Sequence, residues 1–242
     1  KLQMKEVIYF SEWRSFLSSL PVRSGPIVDY KGNAIDNQSK HYQLVNYDVG
    51  SSDLQQCADS AIRLQAEYLW SQGAEARIAF HTTSGDRVPF SRYAAGEQIA
   101  VRGNKVGWKK SGAPKAAATR DRATLRRYLD DVFMYAGSIS LARDTVEVEG
   151  AVQPGDLLVV GGSPGHVLVV LDVATRGDER RLLIGEGFMP AQSFHVVPAP
   201  DGKARTESVR DFGGAITNFT RALRINPMSL EGYIYLGNIY LQ

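Results

Sequence analysis

Apolar residues recur at helical spacing along DLQQCADSAIRLQAEYLW, residues 53–70, where Leu54, Cys57, Ala58, Ala61, Ile62 and Leu69 fall on one stripe. The spacing predicts a helix with one buried face. Asp53 or Ser52 is expected to open it, because a side-chain oxygen there can accept the unpaired N–H groups of the first turn. A second stripe of Leu125, Tyr128, Leu129, Val132 and Phe133 runs through DRATLRRYLDDVFMYAG, with Gly137 as a natural stop. Near the start, VIYFSEWRSFLSSLPV reads as a short amphipathic helix ending before Pro21.

Elsewhere the apolar residues come in short runs. HYQLVNYDV reads as a strand after a turn at Gly32-Asn33, and EARIAFHTTSG as a strand running into a turn. GDLLVVGG, GHVLVVLDV and RRLLIGEGF follow in quick succession, separated by Ser163-Pro164-Gly165 and Arg176-Gly177-Asp178. Connections this short imply an antiparallel meander. FHVVPAP reads as a further edge strand closed by proline. Residues 86–118 lack clear periodicity and read as irregular, with a small hairpin around Gly103-Asn104.

The last stretch, AITNFTRALRINPMSLEGYIYLGNIYLQ, matches the tetratricopeptide pattern in register. Ala215, Phe219, Ala222 and Pro227 take the positions of a second repeat helix, and Tyr233, Leu236, Gly237 and Tyr240 those of the next first helix. The expected organisation is a main domain over 1–200, containing an insertion at about 71–150, a linker at 201–212 and a partial helical hairpin at 213–242. Such a hairpin needs neighbouring repeats or a partner surface, so it is a candidate protein-interaction region, either within a longer protein or docked on the main domain.

Composition narrows the function. With 242 residues, 43% of them hydrophobic, the chain can bury a sizeable core. The net charge of +2, from 28 basic and 26 acidic residues, gives no electrostatic case for nucleic acid or an anionic membrane. The basic residues between Lys105 and Arg127 read as a solvated loop and helix face. No apolar run approaches the roughly 18 residues of a transmembrane segment. A single cysteine cannot form an internal disulfide, so redox compartment stays open.

That cysteine, Cys57, is placed about one turn into its helix, where free N–H groups and the helix dipole favour a thiolate nucleophile. The bland alternative is a small hydrophobe on an apolar stripe. His166 opens an apolar strand directly after GGSPG, which places an imidazole at a sheet end and suggests close backbone approach. Glu186 is a charged residue inside an apolar strand, flanked by glycines, where a neighbouring antiparallel strand could set it beside His166 as its orienting partner. Gln192 is the rival for that third role. Gln55 or Gln56 could add a side-chain amide to an oxyanion hole, and Asp48, Asp53 and His41 are pocket candidates, each with a capping or turn role as the alternative. His81 and His195 have no evident partner and read as structural. No metal is expected, because no ligand-spaced pair is present; no cofactor is expected, because GGSPGH opens a strand and not a phosphate-binding helix.

The order of cysteine at a helix start, histidine at a strand start and a polar residue on the next strand resembles the NlpC/P60 and CHAP branch of papain-like cysteine peptidases, with GDLLVV and GHVLVVLDV similar to that branch's strand pair. The 109 residues from Cys57 to His166 exceed a minimal member's spacing and call for an insertion. A longer resemblance covers about residues 7–198: NQSKHYQLVNYDVGSSDLQQCADSAIRLQAEYLW, GSISLARD, GGSPGHVLVVLDV and GFMPAQSFHV look like the uncharacterised bacterial family called domain of unknown function 4846. That resemblance implies an extracytoplasmic, periplasmic or lipoprotein-anchored, setting. The family usually carries glutamine where this chain has Glu186.

These readings converge on an α+β, papain-like fold whose antiparallel sheet packs on the cysteine helix. The expected activity is cysteine-dependent hydrolysis of a peptide or isopeptide bond, with cell-wall peptide as the substrate class the resemblance implies. Trp108, Tyr93 and Phe90 are expected either as subsites or as the insertion's own core. The rival readings are a non-catalytic binding or scaffold module of the same fold, and an acyltransferase using the same residues.

Overall fold

A computed structural model describes residues 12–110, 120–147, 151–163, 165–176 and 179–197, and the short segments 207–208, 221–225 and 234–237. A first helix, α1, spans residues 12–18. Strands β1 (Val22–Arg23) and β2 (Gln43–Val45) precede α2 (Cys57–Ser71). The hairpin β3 (Ala79–His81) and β4 (Arg87–Pro89), the short α3 (Phe90–Ala94) and the hairpin β5 (Glu97–Arg102) and β6 (Lys105–Lys110) follow. Next come α4 (Arg122–Phe133), α5 (Ser138–Arg143) and β7 (Val146–Glu147). The meander β8 (Leu157–Val160), β9 (His166–Arg176) and β10 (Glu179–Glu186) leads to β11 (His195–Val196). Three further short strands are β12 (Glu207–Ser208), β13 (Arg221–Ile225) and β14 (Ile234–Gly237).

The fold is α+β with antiparallel pairing throughout the meander. The main sheet runs β1-β2-β11-β10-β9-β8-β13-β14-β7, with β12 on β10. Alternation along the central strands explains its two-sided packing. Leu157, Val159, Val167, Val169 and Leu171 enter the larger core with α2 and α4. Leu158, Leu168, Val170, Leu182 and Ile184 form a second cluster by period-2 alternation, and the bulge at Leu171 of β9 shifts Val173 onto the same face. A strand buried on both faces is apolar at successive positions, which is why GHVLVVLDV reads as a continuous run.

Helix α2 is the hub of the larger core, and it is buried all round rather than along one stripe. Arg63 and Glu67 survive burial there because they pair. The guanidinium of Arg63 donates to Gln55 at 2.7 Å and pairs with Asp48 at 2.9 Å, while Glu67 binds Arg122. Trp13 of α1 closes one end, edge-on to Tyr68 at 4.4 Å between ring centroids. A Cβ on Gly155 would lie 1.5 Å from Trp13 Nε1, so only glycine allows that ring its seat.

Several expectations need revision. Residues 86–118 are more regular than their sequence suggests: α3 and the β5–β6 hairpin account for most of the described part, turning at Gly103 (φ +58°) as expected. Phe90 is buried against Trp70 and Tyr128, and Tyr93 and Trp108 pack on the same cluster, so these aromatics belong to the core. Gly137 ends no helical region, because α5 starts at the next residue. The strand β11 is interior, since β2 pairs on its far side.

In the stretch expected as a helical hairpin, β13 and β14 pair antiparallel, and β13 also pairs with β7 and β8. The edge of β8 that faces away from β9 takes up the backbone pairing with β13. The remainder of 213–242 lies outside the described residues. Among the described residues, no helix is long and apolar enough to cross a membrane.

Candidate active site

Cys57 is the first residue of α2, a position closer to the helix end than its sequence suggests. Gln56 is the N-cap in extended conformation, and its N–H donates to Asp59 Oδ2 at 3.1 Å. Asp59, not Asp53 or Ser52, therefore caps the start. Asp53 instead ties the helix start to a distant loop: its Oδ1 accepts Ala191 N–H at 2.6 Å and Gln56 Nε2 at 3.1 Å. Asp59 is buried, and burial pushes its carboxyl up to about 8, against the lowering effect of the backbone N–H groups of Gln56 and Asp59. Cys57 itself is half-buried.

His166 is the first residue of β9, paired with Val160 of β8. The preceding turn brings backbone close: a Cβ on Gly165 would fall 2.2 Å from Ser138 Oγ and 2.8 Å from Val160 O. The imidazole Nε2 lies 2.7 Å from Glu186 Oε2, and Phe188 packs edge-on at 5.3 Å. With Nε2 held, Nδ1 is the ring nitrogen left for the hydrogen bond between His166 and Cys57. Burial disfavours the imidazolium. The hydrogen bonds and negative charges of Cys57 and Glu186 outweigh it, and His166 is raised to about 9.

Glu186 closes β10. Burial would raise its carboxyl, but His166 and His195 together hold it down at about 2. His195 is fully buried, directly opposite Glu186 in the β10–β11 register. Its Nε2 lies 3.3 Å from Glu186 Oε1, and its Nδ1 lies 3.0 Å from Ser193 O. The flanking glycines have separate tasks. A Cβ on Gly185 would sit 2.7 Å from the Phe194 ring, and one on Gly187 would sit 2.3 Å from Ser60 Oγ and 2.8 Å from Gln56 O. The missing side chain at Gly187 thus lets the Glu186 strand end rest against the start of the cysteine helix.

Cys57, His166 and Glu186 are brought together; the other candidates are dispersed. Gln55 Oε1 accepts from Arg63 at 2.7 Å and Arg126 at 3.0 Å, which commits it to the arginine network. Asp48 belongs to the same network, held below its usual range because Arg63 and Arg126 overcome its burial. His41 bridges backbone, with Nδ1 3.0 Å from Gln38 O and Nε2 3.0 Å from Gly25 O. Gln192 is buried and bridges Asp29 through its backbone. Gln56 stays beside Cys57 on the wall of the adjacent cavity.

Two partnerships were missed. His195 belongs beside Glu186, which only the strand register discloses. His81 is not alone either: its Nδ1 pairs with Asp144, whose other oxygen accepts His81 N–H at 2.9 Å, and this bond raises the imidazole's basicity. The two residues are 63 positions apart, and no local signal joins them.

A cavity of about 710 Å³ opens over the start of α2. Cys57, Gln56, Asp59, Thr83, the 133–139 segment and Met189 line it. His166 and Glu186 do not line it. The cysteine thus faces an imidazole on one side and open space on the other.

The family model described as domain of unknown function (4846) matches residues 4–207, and the chain belongs to that family. No curated protein and no solved structure matches it.

Proposed function

We propose that this member of the family is a cysteine-dependent amide hydrolase with a papain-like, NlpC/P60-type core. The observation that carries the reading is the imidazole of His166 shared between Glu186 and Cys57, the latter lining an open cavity. Cys57 Sγ, its proton passed to His166, attacks the carbonyl carbon of an amide and forms a C–S bond. The tetrahedral oxyanion collapses, the C–N bond breaks and the His166 imidazolium gives its proton to the leaving amine. Water then attacks the thioester with His166 as base, releasing a carboxylic acid and restoring the thiol. Glu186 keeps the ring oriented and favours its charged form. The Cys57 backbone N–H at the helix start, with the Gln56 side chain beside it, supplies the oxyanion donors.

Peptide or isopeptide is the substrate class, and an extracytoplasmic setting with cell-wall peptide is the context the family resemblance favours. The C-terminal segment is proposed as a protein-contact region.

Iodoacetamide labelling of Cys57 near pH 6 tests the arrangement. In His166→Ala the rate should fall by about tenfold or more, because the thiolate loses its imidazolium partner. Equal rates in both proteins would mean a packed cysteine and overturn the hydrolase reading. Cys57→Ala should abolish amide turnover while leaving the circular-dichroism spectrum unchanged; retained turnover would remove Cys57 from the mechanism.

A further inference from the structure

We infer that the cavity over Cys57 is an acyl-side subsite for an uncharged, apolar group, so that the enzyme selects amides whose acyl residue carries an aliphatic side chain. The inference rests on the hydrolase reading and specifies its substrate.

Three observations carry it. The first is placement. A leaving amine must lie on the His166 side of the sulfur, because it takes its proton from that ring. The cavity reaches Cys57 without being lined by His166 or Glu186, which makes it the acyl side. The second is the character of the rim. Among the described residues, Met134, Ile139 and Met189 expose large apolar side chains, at 49%, 40% and 64%, and all three line this cavity. Phe133 and Leu54 continue the apolar wall. They come from three separate parts of the chain, so their convergence on the cysteine is a tertiary feature. The third is charge. No lysine or arginine lines the cavity among the described residues; its ionisable side chains are Asp53, Asp59, Cys57 and Tyr135, and its other polar ones, Gln56, Thr83, Ser138 and Ser163, are neutral. An anionic acyl group would find no cation there and would meet the Asp53 carboxylate; an aliphatic one would lose its hydration against the rim.

The experiment uses the whole chain and two probes, the chloromethyl ketones of N-acetyl-leucine and N-acetyl-aspartate, each normalised to its rate with a free thiol, with iodoacetamide as a side-chain-free reference. In each ketone Cys57 Sγ displaces chloride and forms a thioether, so labelling is read by intact mass. The leucine probe should label about tenfold faster than the aspartate probe after normalisation, the scale expected for a few methylenes in an apolar site. Ile139→Asp, a change at a rim position that buries no charge, should reduce that ratio by about threefold or more. Equal rates for the two ketones, with iodoacetamide labelling still dependent on His166, would overturn the subsite and leave the hydrolase reading standing. Iodoacetamide labelling indifferent to His166→Ala would overturn the hydrolase reading and the subsite with it.

Discussion

His166 answers to Cys57 on one side and Glu186 on the other, and both favour its protonated form. Two expectations follow at this scale. The imidazole resonances of His166 should titrate with a midpoint near 9, as for the intact triplet. In Glu186→Gln one of the two anions is gone, so the midpoint should drop and the alkaline limb of kcat/KM should move to lower pH with it. A midpoint unchanged by the substitution would show that Glu186 only positions the ring. The same contacts affect stability. His166 is raised from 6.5 to about 9, so its contribution is complete below about 6.5 and is lost as pH rises through about 9. Glu186 is depressed from 4.5 to about 2, so its contribution is present above about 4.5 and is lost as pH falls through about 2. Urea unfolding should therefore show the largest gap between wild type and Glu186→Gln at about pH 4.5–6.5, with the gap narrowing on either side. A gap that ignores pH would rule out the ion pair as its source.

At the scale of elements, the site depends on how the end of β10 rests against the start of α2. Gly187 is the point of contact, with no room for a methyl group against Ser60 and the Gln56 carbonyl. Gly187→Ala should destabilise the fold by about 1–3 kcal/mol and slow Cys57 labelling, because relieving the clash moves Glu186 and His166 away from the helix. Normal labelling kinetics in that variant would mean the two elements are not coupled there. The His81–Asp144 pair is a separate joint, fastening β3 to the residue that follows α5. It keeps Thr83 and the 133–139 segment near one another, and both wall the cavity: Thr83 N–H donates to Tyr135 O at 2.7 Å.

For the whole molecule, α1 is the clasp of the larger core, through Trp13 on Tyr68 and over Gly155. Trp13→Ala should cost about 3–5 kcal/mol in chemical denaturation, the usual penalty for emptying a large aromatic site; a loss below about 1 kcal/mol would place the clasp elsewhere. The meander, the two long helices and the Cys57–His166–Glu186 order were legible in the sequence, because each rests on local period, turn chemistry or one conspicuous polar residue. Helix α2's buried polar faces were not legible, since Arg63 becomes tolerable in a core only through Gln55 and the solvent-side Asp48. The interior place of β11 was hidden for a related reason: strand neighbours are chosen by pairing between distant segments. Local pattern alone thus picked out the residues suited to the proposed chemistry, through helix-start position, strand-start position and glycine spacing. Tertiary contacts alone put His195 behind Glu186, commit Gln55 to arginines, and bring apolar residues from three separate segments together above Cys57. Those outcomes depend on register and on long-range packing, which no local pattern of side chains encodes.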